Sequence, residues 1–192
     1  MSIVIELDKY KCRRFRGNEM NTATAVQEYG IKISQNPNYI SNIKDVSEYF
    51  LSKEAMTNKK LQKICYYAYS WILTLLNNPE DGEIQNLLFE SKFEGWVHGP
   101  VCRELYDEYK NNGWNEIPKV ENISLNLNDD VIGILDQVWD VYGIHDGNEL
   151  EDITHQEEPW KESRIGLSTF DPGNTVISDS SIFNYYSKRV RG

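Results

Sequence analysis

The chain has 192 residues, 40% of them apolar and 26% charged, which is ordinary usage for a globular protein long enough to bury a substantial core. Its net charge of −10 makes the surface as a whole unsuited to direct binding of DNA or RNA, whose phosphates need a basic stripe that releases counterions. No apolar run approaches the roughly 20 residues required to cross a bilayer, and the first residues lack the basic start of a signal sequence, so a cytoplasmic protein with no membrane contact is expected.

Residues 1–40 differ from the rest. They hold six Lys or Arg against four acids, a net of +2, which leaves −12 on residues 41–192. The apolar runs at 3–7 and 29–33 read as short strands separated by polar residues, so 1–40 is expected to be an N-terminal extension of short strands or a partly disordered arm. An appended strand pair leaves main-chain donors and acceptors at an edge, which makes this extension a candidate for contact with a partner. The remainder, 41–192, is read as the core domain.

Asn36, Pro37 and Asn38 punctuate the chain. A short helix then places Ile43, Val46, Tyr49 and Phe50 on one side. The strongest signal follows. Leu61, Ile64, Cys65, Ala68, Trp71, Ile72 and Leu75 recur at three- and four-residue spacing behind a Thr57 N-cap, which predicts a central buried helix over 57–76. Met56 and Leu61 occupy the two positions of a hydrophobic staple. Lys59, Lys60 and Lys63 are expected in water, while Tyr66, Tyr67 and Tyr69 widen the apolar arc and imply neighbours on more than one side.

Alternation predicts a strand over 89–97 and a second extended region over 117–127. Between them, Pro100 after Gly99 suits the first turn of a helix that buries Val101, Leu105 and Tyr109. Asn128 caps a further helix with Asp129 and Asp130 in its first turn, and Gly143 closes it. A short helix follows Asn148, a new helix starts at Pro159, and a last one runs over 179–190 with cations at its end. The fold class is therefore α+β: a mostly helical single domain of five or six helices around the 57–76 helix, with a small antiparallel sheet built from 89–97 and 117–127.

Few residues carry chemistry. Cys12, Cys65 and Cys102 are widely spaced and odd in number, which suggests neither a disulfide framework nor a paired-cysteine zinc site. His98, His145 and His155 lack metal-ligand spacing, and there is no phosphate loop or dinucleotide fingerprint, so no metal and no cofactor are expected. His98 and Cys102, four apart, form a conceivable nucleophile pair, but Cys102 also lies on the buried face of its expected helix, where a thiol is inert. His155 with Glu157 is a conceivable acid–base pair without a visible nucleophile.

Three stretches nevertheless resemble the signatures of one family. Met56-Thr57 followed by Lys60-Leu61-Gln62-Lys63-Ile64, Tyr66-Tyr67-Ala68 and Trp71 form the first; Phe93-Glu94-Gly95-Trp96-Val97-His98-Gly99-Pro100-Val101 with Leu105-Tyr106 form the second; Thr154-His155, Glu157, Pro159 and Trp160 form the third. In order and spacing over 42–165 they resemble the Panacea domain family of SocA-like and phage-associated GepA-like proteins. Gly95 departs from this resemblance, standing where alanine is usual, and 1–40 has no counterpart in the family core. The resemblance implies a bacterial or prophage antitoxin, without catalytic residues, that neutralises a cognate toxin by direct protein binding. A protease adaptor that delivers a toxin for degradation, and so contacts a cellular protease, is the alternative within the family. An enzyme built from Trp96, His98, His155 and Glu157 is the alternative outside it. The −10 charge favours a basic toxin as partner. His98 and His155 are expected to lie together with Trp160, tying the Gly99 turn to the Pro159 turn.

Overall fold

The computed structural model describes residues 31–190. In chain order the elements are β1 (Lys32–Tyr39), α1 (Ile43–Leu51), β2 (Met56–Thr57), α2 (Asn58–Leu75), β3 (Glu83–Leu87), β4 (Phe93–Trp96), β5 (Gly99–Cys102), α3 (Arg103–Tyr109), β6 (Glu116–Ile117), α4 (Asp129–Tyr142), α5 (Gly147–His155), α6 (Glu158–Ser163) and α7 (Asp179–Val190). The fold is mostly helical α+β, with seven α-helices among the described residues, α2 and six others, as the sequence suggested. The strand expected at 3–7 and the basic run that follows it lie outside the described residues.

Helix α2 is the axis. Thr57 caps it by accepting from the Lys60 N–H, and every residue from Leu61 to Thr74 is buried. Helices α1, α4, α5 and α7 and strand β5 all pack on it, so it has no solvent face to spare. The tyrosines that widened its apolar arc are fully covered. The lysine placement is corrected, however: Lys63 is 1% exposed, because β5 and α5 cover the side that a simple amphipathic helix would leave in water.

Local signals place most helix starts. Asn42, Asn128 and Asp146 accept first-turn N–H groups of α1, α4 and α5, and Asp146 with Glu149 forms a capping box. Helix α6 has Pro159 in its first turn, and α7 spans the predicted residues.

The strands are where the structure departs from the sequence reading. The regions 89–97 and 117–127 do not pair with each other. Strand β4 forms an antiparallel hairpin with β5, while β6 pairs with β2 beside the start of α2. Residues 118–127 form no strand. Ile123, Leu125 and Leu127 do alternate with exposed Ser124 and Asn126, but they cover the core as an extended segment rather than as part of a ladder. Gly99 and Pro100 belong to β5, not to a helix. Gly99 has φ +91°, which a helix forbids, and the helix begins only after Cys102.

Strand β3 and its parallel pairing with β1 were not foreseen, and Asn36-Pro37-Asn38 lies inside β1 rather than ending a segment. An edge strand tolerates proline, and the register shift between Ile33 and Asn38 accommodates it. From Lys32 onward the chain is therefore hydrogen-bonded to β3, although β1 itself is largely exposed. Asn77, just past α2, fixes β3: its amide donates to Leu73 O at 2.7 Å and Asn86 O at 2.8 Å, and its oxygen accepts from the Gln85 and Asn86 N–H groups.

Candidate functional site

The three motif stretches meet on one side of α2. The first motif holds the second by side chain to main chain bonds. Gln62 accepts the Cys102 N–H at 2.8 Å and returns an N–H to Cys102 O at 3.4 Å, and Lys63 Nζ donates to Pro100 O at 3.0 Å. These bonds satisfy main-chain groups that β4 does not reach, which explains how a proline-containing strand is seated on a helix. A Cβ on Gly99 would lie 2.6 Å from Lys63 Cε and 2.8 Å from Thr154 Oγ1, so glycine serves both the positive φ and the close approach. Lys60 points elsewhere, donating to Gly143 O and pairing with Glu54 over the Trp139 ring.

The third motif closes over the hairpin. Trp160 Nε1–H donates to Trp96 O at 2.9 Å, and His155 stacks on Trp160 with ring centroids 3.9 Å apart while bonding the Val97 main chain. His98 Nδ1 lies 3.0 Å from Glu151 Oε1, and His155 Nε2 lies 3.9 Å from the same oxygen. The expected proximity of the two histidines thus arises through a shared carboxylate. Glu151, on α5, also pairs with Lys59. Partial burial pushes its carboxyl pKa up, but the bonds and charges of Lys59 and His98 outweigh that and hold it below the usual range. Burial lowers the His155 pKa against the pull of Glu151, favouring neutral imidazole.

Glu157 bonds into a different, tyrosine-lined environment. Its carboxyl group accepts the Tyr186 hydroxyl at 2.8 Å, with Tyr66 and Tyr67 buried beside it, and desolvation raises its pKa to about 8. Through Tyr186 it joins the Trp71 cluster, where Trp71 Nε1–H donates to Tyr142 Oη at 3.2 Å and Tyr67 stacks flat on Tyr142. The set Trp96, His98, His155 and Glu157 is therefore split between two environments rather than gathered round one point. Cys102 is buried and desolvation raises its thiol pKa, the opposite of what a nucleophile needs. Val101 and Leu105 are buried, Pro159 is buried in the first turn of α6, and Tyr106 packs on Trp96.

Three residues of the site had no role assigned from the sequence. Glu151 was available as the i−4 partner of His155 on one helix face. Glu94, held by Arg103 in two bonds and by Trp96 Nε1–H, joins residues nine apart that gave no local signal. Arg164 is the third: 6% exposed, it donates to the carbonyls of Gly95, Ser168 and Asp171 at 2.9, 3.1 and 2.7 Å. No spacing rule predicts a buried arginine that organises a loop.

Gly95 is explained by the same neighbourhood. A Cβ there would overlap Ser163 Oγ and lie 3.0 Å from Ser163 Cβ, and Ser163 is fixed by its own bond to Trp160 O. Gly95→Ala is expected to lower stability by about 1–3 kcal/mol through overpacking, and Ser163→Gly in the same chain to recover most of it. Urea unfolding of the two variants checks this. Equal stability of Gly95→Ala and wild type contradicts it.

Among the described residues no group of histidine, cysteine and carboxylate side chains could hold a metal ion, and no helix is long and apolar enough to cross a membrane. No curated protein and no solved structure matches the chain. The family model described as "Antitoxin SocA-like, Panacea domain" matches residues 61–161, more than half of the 192, and spans the three motif stretches from Leu61 onward. With its first motif anchoring the second and its third closing over both, the chain belongs to the SocA-like antitoxin family that carries the Panacea domain.

Proposed function

We propose that this chain is the antitoxin of a toxin–antitoxin pair, acting in the cytoplasm by binding its cognate toxin rather than by catalysis. Membership of the SocA-like family carries this reading. The division of the polar motif residues into two separate environments supports it, because general acid–base or nucleophilic chemistry needs its groups converging on one reacting atom. In this reading the motif residues are scaffold: they fix the hairpin β4–β5 to α2 and leave recognition to other surface. The net charge of −10 favours a basic toxin, since opposite charge speeds encounter and disfavours wrong partners.

The test is coexpression with the protein encoded beside it. Toxicity of that protein alone, rescue of growth by this chain and copurification of the two as a complex are the expected results. Undiminished toxicity in the presence of abundant, folded chain contradicts the proposal.

A further inference from the structure

The loop that follows α6 combines three properties that are rarely found together. It exposes large apolar side chains: Ile165 is 82% exposed, Phe170 85% and Val176 51%. It is nevertheless tightly built. The buried Arg164 guanidinium bonds carbonyls along it and on β4, Asp171 accepts the Ser168 N–H at 2.8 Å, and Leu167 packs against Gly173, where a Cβ would lie 2.8 Å from Leu167 Cδ1. Apolar groups held out by such a framework lose little freedom on meeting a partner.

The third property is an open strand edge. Gly95 N–H donates to Thr175 O at 2.9 Å and Ile177 N–H to Phe93 O at 2.8 Å, so 175–177 lies beside β4 as an antiparallel third strand centred on Glu94 and Val176. With the bonds flanking that pair, Val176's own N–H and C=O turn outward, and among the described residues neither bonds another main-chain group. An outward donor and acceptor on the same loop as exposed Phe170 and Ile165 is a template for strand addition.

The geometry points to this edge as the docking surface for the toxin, which adds an extended segment to Val176, lays apolar side chains on Phe170 and Ile165, and carries Lys or Arg at its flanks. The basic flanks follow from charge: residues 41–192 carry −12, and Glu158, Glu162 and Asp171 are exposed around the loop. This inference rests on the antitoxin reading above, and it places recognition on a surface that the family motifs support but do not form.

Proline at 176 is the discriminating change. It removes the outward N–H while leaving both bonds to β4 intact, because those use Thr175 O and Ile177 N. The full-length chain, its Val176→Pro, Phe170→Asp and Trp114→Ala variants, and the protein encoded beside it are purified and their affinity measured by calorimetry. Trp114, 91% exposed on the segment between α3 and β6, is the control. Each variant is also checked for an unchanged far-ultraviolet spectrum and thermal midpoint, with Val176→Thr replacing proline if proline unfolds the chain and Thr expected to bind as wild type. Val176→Pro is expected to weaken binding by about tenfold or more and Phe170→Asp by about thirtyfold or more, with Trp114→Ala unchanged. Wild-type affinity in folded Val176→Pro overturns strand addition, and wild-type affinity in Phe170→Asp overturns the surface; where only the threonine variant folds, Phe170→Asp decides. No binding by the wild-type chain instead overturns the antitoxin reading, and this inference falls with it.

Discussion

Trp71→Ala is expected to lower the stability of the chain by about 3–5 kcal/mol, the usual cost of emptying an aromatic core site. Trp71 has no solvent exposure and joins three helices: it sits on α2, donates to Tyr142 on α4, and meets the edge of Tyr186 on α7 at a centroid distance of 5.1 Å. Truncation leaves a cavity between all three. It also strips packing from Tyr186, whose hydroxyl is the bond that Glu157 accepts, so the third motif loosens with it. Because domains of this kind are stable by only about 5–15 kcal/mol, the loss is large but survivable, and urea midpoints can measure it. Trp71→Phe keeps most of the volume and loses mainly one hydrogen bond, for which about 1–2 kcal/mol is expected. A Trp71→Ala cost under 1 kcal/mol contradicts the role of α2 as the axis.

The second large effect is on the pH dependence of stability. Glu157 has its folded pKa raised from 4.5 to about 8, chiefly by desolvation, so between those values the folded state holds a proton that the unfolded state has lost. Stability from this group therefore falls as pH rises through that window, by up to about 1.4 kcal/mol per unit. Lys63 behaves in the opposite sense. Desolvation lowers its folded pKa from 10.5 to about 7, so above pH 7 the unfolded state binds more protons and stability from this group rises with pH until near 10.5. Between pH 7 and 8 the two slopes oppose each other. Glu157→Gln is expected to remove the fall between pH 5 and 7, and Lys63→Met to remove the rise between pH 8 and 10. Unfolding free energies across pH 5–10 check both. Profiles of the variants that run parallel to wild type contradict the desolvation of these two groups in the folded state.

These two residues also mark how far the sequence could be read. The period of Leu61, Ile64, Ala68, Trp71 and Leu75 found α2, and the caps Thr57 and Asn128 found two helix starts, because both signals depend on neighbours within one turn. Lys63 was misplaced because its burial depends on β5 and α5, which lie far away in sequence. The same reason explains Gly99 and Pro100. Their local chemistry suits a helix start, but Gln62 and Lys63 take up the main-chain groups of β5 and hold it extended. Only the start of β1 was legible, in the apolar run at 29–33; its continuation and β3 were not, because their pairing is parallel, bulged and irregular in burial, and Pro37 sits within it.

At the candidate site the histidines and Trp160 were legible as a group, since motif residues unexplained by helical or strand period tend to meet one another. Their common partner Glu151 was present at i−4 to His155 and was overlooked. Arg164 was out of reach. Its acceptors are main-chain carbonyls on a loop and on β4, which no residue type announces.

Neutralisation by direct binding is tested most simply with purified components. The protein encoded beside this chain is assayed for its own toxic activity in a defined mixture, with increasing amounts of this chain and no protease or other cell factor present. Activity is expected to fall to background as the chain reaches stoichiometric amounts, with a stable complex on size exclusion. Full activity in a large excess of folded chain, lost only when a cellular protease is added and the toxin is degraded, contradicts it and identifies an adaptor instead.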